Sequence, residues 1–362
     1  MAILLLALTL GLAFANGAND VSKGIATLVG SGVGSYRRAI LWAVGWTVIG
    51  ALAAAFVSRG FIPIFSGRGL LAEPLTGLAF PVSVTCGALG WLLFATRTGL
   101  PVSTTHALVG GLVGAAVMAA GPAGVRWAAV VRAVGVPLAL SPLLALALVF
   151  AVLPATRLLF LRLSGYCVCL ERRVVVLAPA GAGPKLGIGP GLGVIAGADC
   201  PPRVLSRIDG LAAVHWLSAG LTSFARALND APKVFALGIA AQVALGFTPG
   251  VLLALVAVAM SAGSQLAGRR VTETLGTKVT TISAAEGLAG NVVTSALVGL
   301  ASTLGAPVST THVATGAIIG IGIGAGDVRW KLVRGMLVAW LVTLPIAAVL
   351  AGAAYAVLEL GR

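Results

Sequence analysis

Apolar stretches of about membrane length alternate with short polar breaks along nearly the whole chain. About 20 consecutive apolar residues make one helical crossing of a bilayer. Residues 1–14 form an apolar helix too short to span comfortably. Asn16, Gly17, Asn19 and Asp20 interrupt it, and it resumes over 25–29. Glycine and two amides beside a buried acid are the pattern of a discontinuous helix. Spans follow at 39–57 and 75–95, separated by a loop over 59–73 that contains Pro63. A polar stretch, PVSTTH at 101–106, then opens a Gly/Ala-rich helix to about 120, and a long apolar run containing Pro137 and Pro142 reaches 163.

The order then repeats. Residues 211–224 predict a short apolar helix, 226–230 break it at Asn229 and Asp230, 251–260 belong to a span, and 282–304 form another. A second PVSTTH follows at 307–312, and Arg329 and Trp330 open a last apolar run containing Pro345. Asn19 and Asn229 lie 210 residues apart, Pro101 and Pro307 206, and Arg126 and Arg329 203. Three landmarks in one order at nearly constant offset identify an internal repeat of about half the chain. The segment 164–207 between the halves, rich in Gly, Pro and Arg, reads as a partly flexible linker.

Composition sharpens this into a class. The chain is 59% hydrophobic and 9% charged, against about 25% charged for a soluble domain. The expectation is an all-α polytopic membrane protein with roughly ten to twelve crossings. It comprises a first repeat over 1–163, a linker, and a second repeat over 208–362, each with a broken helix. No alternating barrel strands are visible. The first fifteen residues lack a positive start and run into a polar motif, so they read as the first helix rather than a cleaved signal. The net charge of +14 sits mostly in loops and is assigned to topology, not to nucleic acid. Arg157, Arg162, Arg172, Arg173, Lys185, Arg203 and Arg207 are the densest cationic cluster, which places the linker in the cytoplasm. With an odd number of crossings per half, the repeats are inverted and both termini are extracellular. Cys167, Cys169 and Cys200 have no nearby His and read as unpaired linker thiols rather than a zinc set.

Each half thus carries an early Asn-Asp-x-x-Lys and a later Ser-Thr-Thr: Asn19, Asp20 and Lys23 with Ser103, Thr104 and Thr105, then Asn229, Asp230 and Lys233 with Ser309, Thr310 and Thr311. An acid at membrane depth is costly, so one repeated at matching positions marks a site unless it only caps a helix. Helix N-termini and hydroxyl donors suit an anion. The same oxygens, with those of Asn19, Asp20, Asn229 and Asp230, suit a hard cation such as sodium. Lys23 and Lys233 either complement the anion or neutralise the neighbouring acids. His106 and His312 are read as helix-start packing or a proton relay, and His215 is given no role. Glu273 and Glu286 occur only in the second half and are candidate coupling or charge-partner residues. No phosphate-binding G-x-x-x-x-G-K-[ST] loop is present, so no ATP-driven engine is recognisable. Adjacent hydroxyls and histidine on one helix do not face one another as nucleophile and base, which argues against an enzyme. An anion channel remains the alternative of a different class.

Gly17-Ala18-Asn19-Asp20, Asn229-Asp230 and the two PVSTTH stretches resemble the signatures of the inorganic phosphate transporter (PiT) family, in an order that covers the chain except its linker. The resemblance implies an inverted-repeat secondary carrier of the plasma membrane that imports inorganic phosphate with sodium or protons. It implies that the Asn-Asp and Ser-Thr-Thr positions bind substrate and ion, with no cofactor beyond the coupling ion. Partners are phosphate, with sulfate as the alternative, and membrane lipid; nucleic acid is excluded and a homo-oligomer is allowed. Departures from the family pattern fall at Ser22 and Lys23, where Ala-Asn is common, and at Arg226-Ala227-Leu228, where His-Gly-Ala is usual. Where longer members carry acids, Thr47 and Gly60 stand in the first half, while Glu273 retains one in the second. These departures leave the coupling ion and the choice between phosphate and sulfate open. A cytoplasmic linker predicts that an impermeant thiol reagent applied to intact cells leaves Cys167, Cys169 and Cys200 unlabelled until the membrane is permeabilised; prompt labelling from outside would overturn that topology.

Overall fold

The computed structural model describes residues 1–73, 75, 77–163, 166–177, 185–196 and 204–361, with backbone only for 58, 59, 163, 166–177, 185–196, 204–209 and 211. In the first half these are α1 (Ala2–Asp20), α2 (Ser22–Gly30), α3 (Tyr36–Ala53), α4 (Ser58–Phe65), α5 (Ala79–Thr98), α6 (Thr104–Ala120), α7 (Trp127–Val130) and α8 (Val136–Leu163). The second half has α9 (Gly210–Leu245), α10 (Pro249–Ala267), α11 (Arg269–Glu273), α12 (Ala284–Thr303), α13 (Thr310–Ala325) and α14 (Trp330–Leu360). Among the described residues, seven helices are long and apolar enough to cross a membrane, and α6 and α13 are shorter apolar helices. Helix α9, at 36 residues, is longer than any plain span needs and carries Arg226, Asp230 and Lys233 in its middle.

The membrane body is helical, as the apolar pattern requires where no water satisfies the backbone. The expected helix breaks are smaller than the sequence suggests. In the first half the interruption is Val21 alone, which keeps helical dihedrals of φ −57° and ψ −30°. In the second half it is absent: α9 runs unbroken through Arg226, Asn229, Asp230 and Pro232. The polar side chains at these positions bond to facing elements, so the backbone retains its ladder. The two PVSTTH stretches are the tips of helical hairpins, α5–α6 and α12–α13. Each helix starts three residues after the proline expected to lead it, with Ser103 and Ser309 as N-caps accepting from the backbone N–H of His106 and His312 at 3.2 Å.

The halves interleave. Helix α1 packs on α10 and its counterpart α9 packs on α3, while α6 packs on α14 and its counterpart α13 packs on α8. Lipid tails are as apolar as leucine side chains, so helices gain association energy in a bilayer by coming close, which small residues permit. A Cβ placed on Gly17 would lie 1.9 Å from the Met260 carbonyl oxygen, and one on Gly263 1.9 Å from that of Phe14. The hairpin helices repeat the device: a Cβ on Gly110 would meet the Leu344 carbonyl at 2.3 Å, and one on Gly316 the Pro142 carbonyl at 2.4 Å. Glycine is thus required where each half docks on the other.

The central segment departs from the linker expected of it. Strands β1 (Tyr166–Leu177), β2 (Lys185–Ala196) and β3 (Val204–Asp209) form an antiparallel sheet in the order β2-β1-β3. Strand β2 alternates glycine at 187, 189, 191 and 193 with larger residues, a period of two that a count of Gly and Pro hides. Pro190 is tolerated because β2 lies at the sheet edge. Cys200 and the stretch 197–203 lie outside the described residues. The helix contacts predict that Gly263→Ala costs at least about 1–3 kcal/mol through overpacking, read as a lower unfolding midpoint of the purified protein in detergent; an unchanged midpoint would contradict the close approach.

Candidate functional site

Three residues of α9 and two at the α1–α2 junction place five ionisable side chains in one buried cluster. Asp20 and Asp230 are 1% exposed, Arg226 1%, Lys23 2% and Lys233 0%. Asp and Lys lie three residues apart in each half, one helical turn, so each lysine folds back on its own acid. The Val21 interruption has a local consequence: the Asn19 carbonyl accepts from the Ser22 hydroxyl at 2.9 Å and the Lys23 ammonium at 3.0 Å. Lys23 also donates to Asn19 Oδ1 at 3.1 Å and to Asp20 Oδ1. Lys233 donates to Thr105 Oγ1 at 2.7 Å, Asp230 Oδ1 at 3.0 Å, the Val308 carbonyl at 3.1 Å and Asn229 Oδ1.

The hairpin tips close around this cluster. Asn19 donates to the Leu100 carbonyl at 2.9 Å and to Thr96 Oγ1 at 3.3 Å, while Asn229 donates to Ser302 Oγ at 3.1 Å. Across the halves, Thr105 Oγ1 donates to the Val308 carbonyl at 3.2 Å and Thr311 Oγ1 to the Val102 carbonyl at 2.8 Å, a reciprocal pair. Thr104 donates to Asp20 Oδ2 at 3.2 Å. Asn16 ties both carboxylates together, its amide nitrogen lying 3.0 Å from Asp20 Oδ2 and 3.3 Å from Asp230 Oδ2.

Of the expected residues, Asn19, Asp20, Thr104, Thr105, Asn229, Asp230 and Thr311 join one buried network with Lys23 and Lys233, while Ser103, Ser309 and Thr310 are buried at the two helix starts. Ser103 and Ser309 are helix caps first. Glu273 is not brought there; it is half-buried and paired with Arg269 on its own helix at 2.8 Å. Glu286 closes a capping box with Ser283 and meets Arg157 at 3.2 Å. The rings of His106 and His312 meet at a tilt of 45° with centroids 4.6 Å apart, and His312 packs on Trp340 at 3.9 Å. His215, given no role, reaches Thr27 at 3.2 Å in a buried network with Asn291.

Two site residues have roles that the motifs do not announce. Arg226 donates to Thr47 Oγ1 at 2.8 Å and to Asn16 Oδ1 at 3.4 Å. Asn16 and Arg226 are 210 residues apart, so they are the same position of the repeat, facing each other. The signal for Arg226 was its spacing, four residues before Asp230 on one helix face. With it, three buried cations face two carboxylates, which leaves one net positive charge. Asn19 Oδ1, Asp20 Oδ1, Asn229 Oδ1 and Asp230 Oδ1, on the residues expected to hold sodium, each accept from a lysine ammonium group. Among the described residues no group of three or more His, Cys, Asp or Glu side chains is placed to hold a metal ion.

Residues 16–351 match the phosphate transporter family. The chain belongs to that family. It is 32% identical over 352 residues to a protein of Mycobacterium bovis named "Probable low-affinity inorganic phosphate transporter", covering 94% of this chain and 74% of the relative. A Rhizobium meliloti protein of the same name is 28% identical, covering 97% of this chain and 94% of the relative. A solved structure described as the sodium-dependent phosphate transporter aligns over 99% of both chains with a TM-score of 0.77 at 22% identity. That likeness establishes a shared fold; the sodium of its description belongs to that protein. The matched residues 16–351 include the whole of the buried cluster, Arg226 among them. Removing the hydroxyl in Thr47→Val deprives a buried guanidinium of the shorter of its two neutral hydrogen bonds and is expected to cost about 1.5–3 kcal/mol. Chemical unfolding of the purified protein measures it, and an unchanged stability would mean that the longer bond to Asn16 is enough to hold Arg226.

Proposed function

We propose that the chain is a secondary active transporter that imports inorganic phosphate across the plasma membrane by symport, with sodium or protons as the coupling ion, and by alternating access around the buried cluster. The observation that carries this reading is the cluster itself: two carboxylates and three cations at the meeting of two hairpin tips, closed to solvent and biased by one positive charge. A buried site with net positive charge and hydroxyl and amide donors favours an oxyanion. Its closure means that substrate enters only when the packing around the tips opens, as alternating access requires and an open pore does not.

The carboxylates supply selectivity. Phosphate at neutral pH still carries a proton that an aspartate can accept as a hydrogen bond, whereas sulfate carries none and would face the carboxylate with lone pairs against lone pairs. Asp20 and Asp230 therefore read as the phosphate-selecting pair. Thr104, Thr105, Thr310 and Thr311 are the hydroxyl donors at the tips, Asn19 and Asn229 hold each tip to its helix, and the two repeats are of inverted topology, with the linker cytoplasmic and the termini outside. Catalysis has no place in this scheme.

Labelled phosphate uptake into proteoliposomes under imposed ion gradients tests it, with sulfate as competitor. Saturable accumulation against a gradient, little affected by sulfate, is expected; uptake of sulfate with none of phosphate would sink the reading. Asp230→Asn and Asp20→Asn are each expected to lower coupled uptake at least about tenfold, the equivalent of 1.4 kcal/mol or more, while the proteins still insert. Uptake at the native rate in both would return these acids to a structural role.

A further inference from the structure

Each lysine ammonium in the cluster occupies a set of oxygens that reads as a cation site. Lys233 Nζ is surrounded by a carboxylate oxygen of Asp230, the amide oxygen of Asn229, the hydroxyl of Thr105 and the carbonyl of Val308. Lys23 Nζ has the carboxylate of Asp20, the amide oxygen of Asn19 and the carbonyl of Asn19. Carboxylate, amide, carbonyl and hydroxyl oxygens are the ligand types of a hard metal cation. An ammonium group offers three donors and no acceptor, so either cage can be filled by a lysine or by an ion, but not by both at once.

We propose that Lys23 and Lys233 are tethered cations that take the place of coupling sodium ions, so that this chain moves its anion without sodium. The proposal rests on the reading of the cluster as the transport site and narrows its coupling. Three observations support it. Both lysine side chains are 0% exposed, so each ammonium is held away from water and its cage is shut. The tether is local, since each lysine follows its Asp by three residues and its Asn by four, along α9 in the second half and across the Val21 junction, which keeps helical dihedrals, in the first, and this spacing brings the ammonium back to its cage. The charge is already balanced for transport: with Arg226, the fixed groups leave one positive charge, which a singly charged phosphate neutralises without any added ion. A sodium ion beside these three cations would add a further positive charge to a site where an unpaired charge is costly.

The cages also differ in a way that ranks them. The Lys233 cage recruits both halves, through Thr105 of the first tip and Val308 of the second. At the equivalent place in the other half, Thr311 and Val102 bond to each other and Lys23 takes the Asn19 carbonyl. Removing the Lys233 ammonium therefore exposes the more complete oxygen set, and it is the cage expected to accept sodium.

The test uses the purified full-length chain. Thermal unfolding in detergent is compared in sodium chloride and choline chloride at equal ionic strength for the native protein, Lys23→Ala and Lys233→Ala, beside binding of radioactive sodium. The native midpoint is expected to be the same in both salts with no saturable sodium binding. Lys233→Ala gains saturable sodium binding and an upward shift of its midpoint in sodium, and Lys23→Ala gains less. In proteoliposomes native phosphate uptake is unchanged when choline replaces sodium. Saturable sodium binding to the native protein, or a tenfold or greater fall of its uptake in choline, overturns the proposal. If the reconstituted chain takes up no phosphate in any salt, the substrate reading fails, while the binding and unfolding data still decide the lysines. If a variant does not fold, the native protein's sodium binding decides alone.

Discussion

Five buried ionisable groups in an apolar body are the constraint to which the rest of the structure answers. Taking a carboxylate or an ammonium out of water costs several kcal/mol per ion even after relaxation, and only close pairing with further hydrogen bonds offsets it. Each Asp-Lys pair is assembled within one helical turn, so pairing is settled locally. The remaining valences are met from a distance: by Thr104 on Asp20, by Thr105 and Val308 on Lys233, and by Thr47 on Arg226. Hairpin tips serve this purpose because a chain reversing inside the body presents carbonyls and hydroxyls that a continuous helix would use on itself.

Close packing makes those distant partners reachable. Gly17 and Gly263 let α1 and α10 touch backbone to backbone, and Gly110 and Gly316 do the same for the hairpin helices against α14 and α8. Each of these contacts joins one half to the other. The interleaving brings both tips to the same cluster, and the reciprocal bonds of Thr105 with Val308 and Thr311 with Val102 are its direct result. A helix displaced by one methyl group at these positions would pull a tip away from a buried charge, so membrane packing and site chemistry are a single problem here.

The repeat is used and then broken. Most positions of the cluster come in matched pairs, including the less obvious Thr96 and Ser302, which hold Asn19 and Asn229. At one position the halves differ by a full charge: the neutral amide of Asn16 faces the guanidinium of Arg226. That difference turns a neutral arrangement of two Asp-Lys pairs into one with a positive bias.

The sequence alone determined the membrane class, the duplication and most of the cluster's membership. Apolar length, charge scarcity and repeated strings are properties of composition and spacing, which need no contacts to be read. Asp20 with Lys23 and Asp230 with Lys233 were legible as pairs because three residues is one helical turn. Only the tertiary structure decided that α9 runs unbroken past Asp230. Whether a polar residue breaks a helix depends on partners on other helices, and those are invisible along one strand of sequence. It also decided that 166–177, 185–196 and 204–209 pair as a sheet, since strand pairing is a long-range choice that glycine and proline content obscures. The same holds for Glu273, an acid that composition offered to the site and the fold left on the surface. Arg226 and Thr47 joined the cluster only when α9 and α3 came together, because a buried charge is specified by what surrounds it in space.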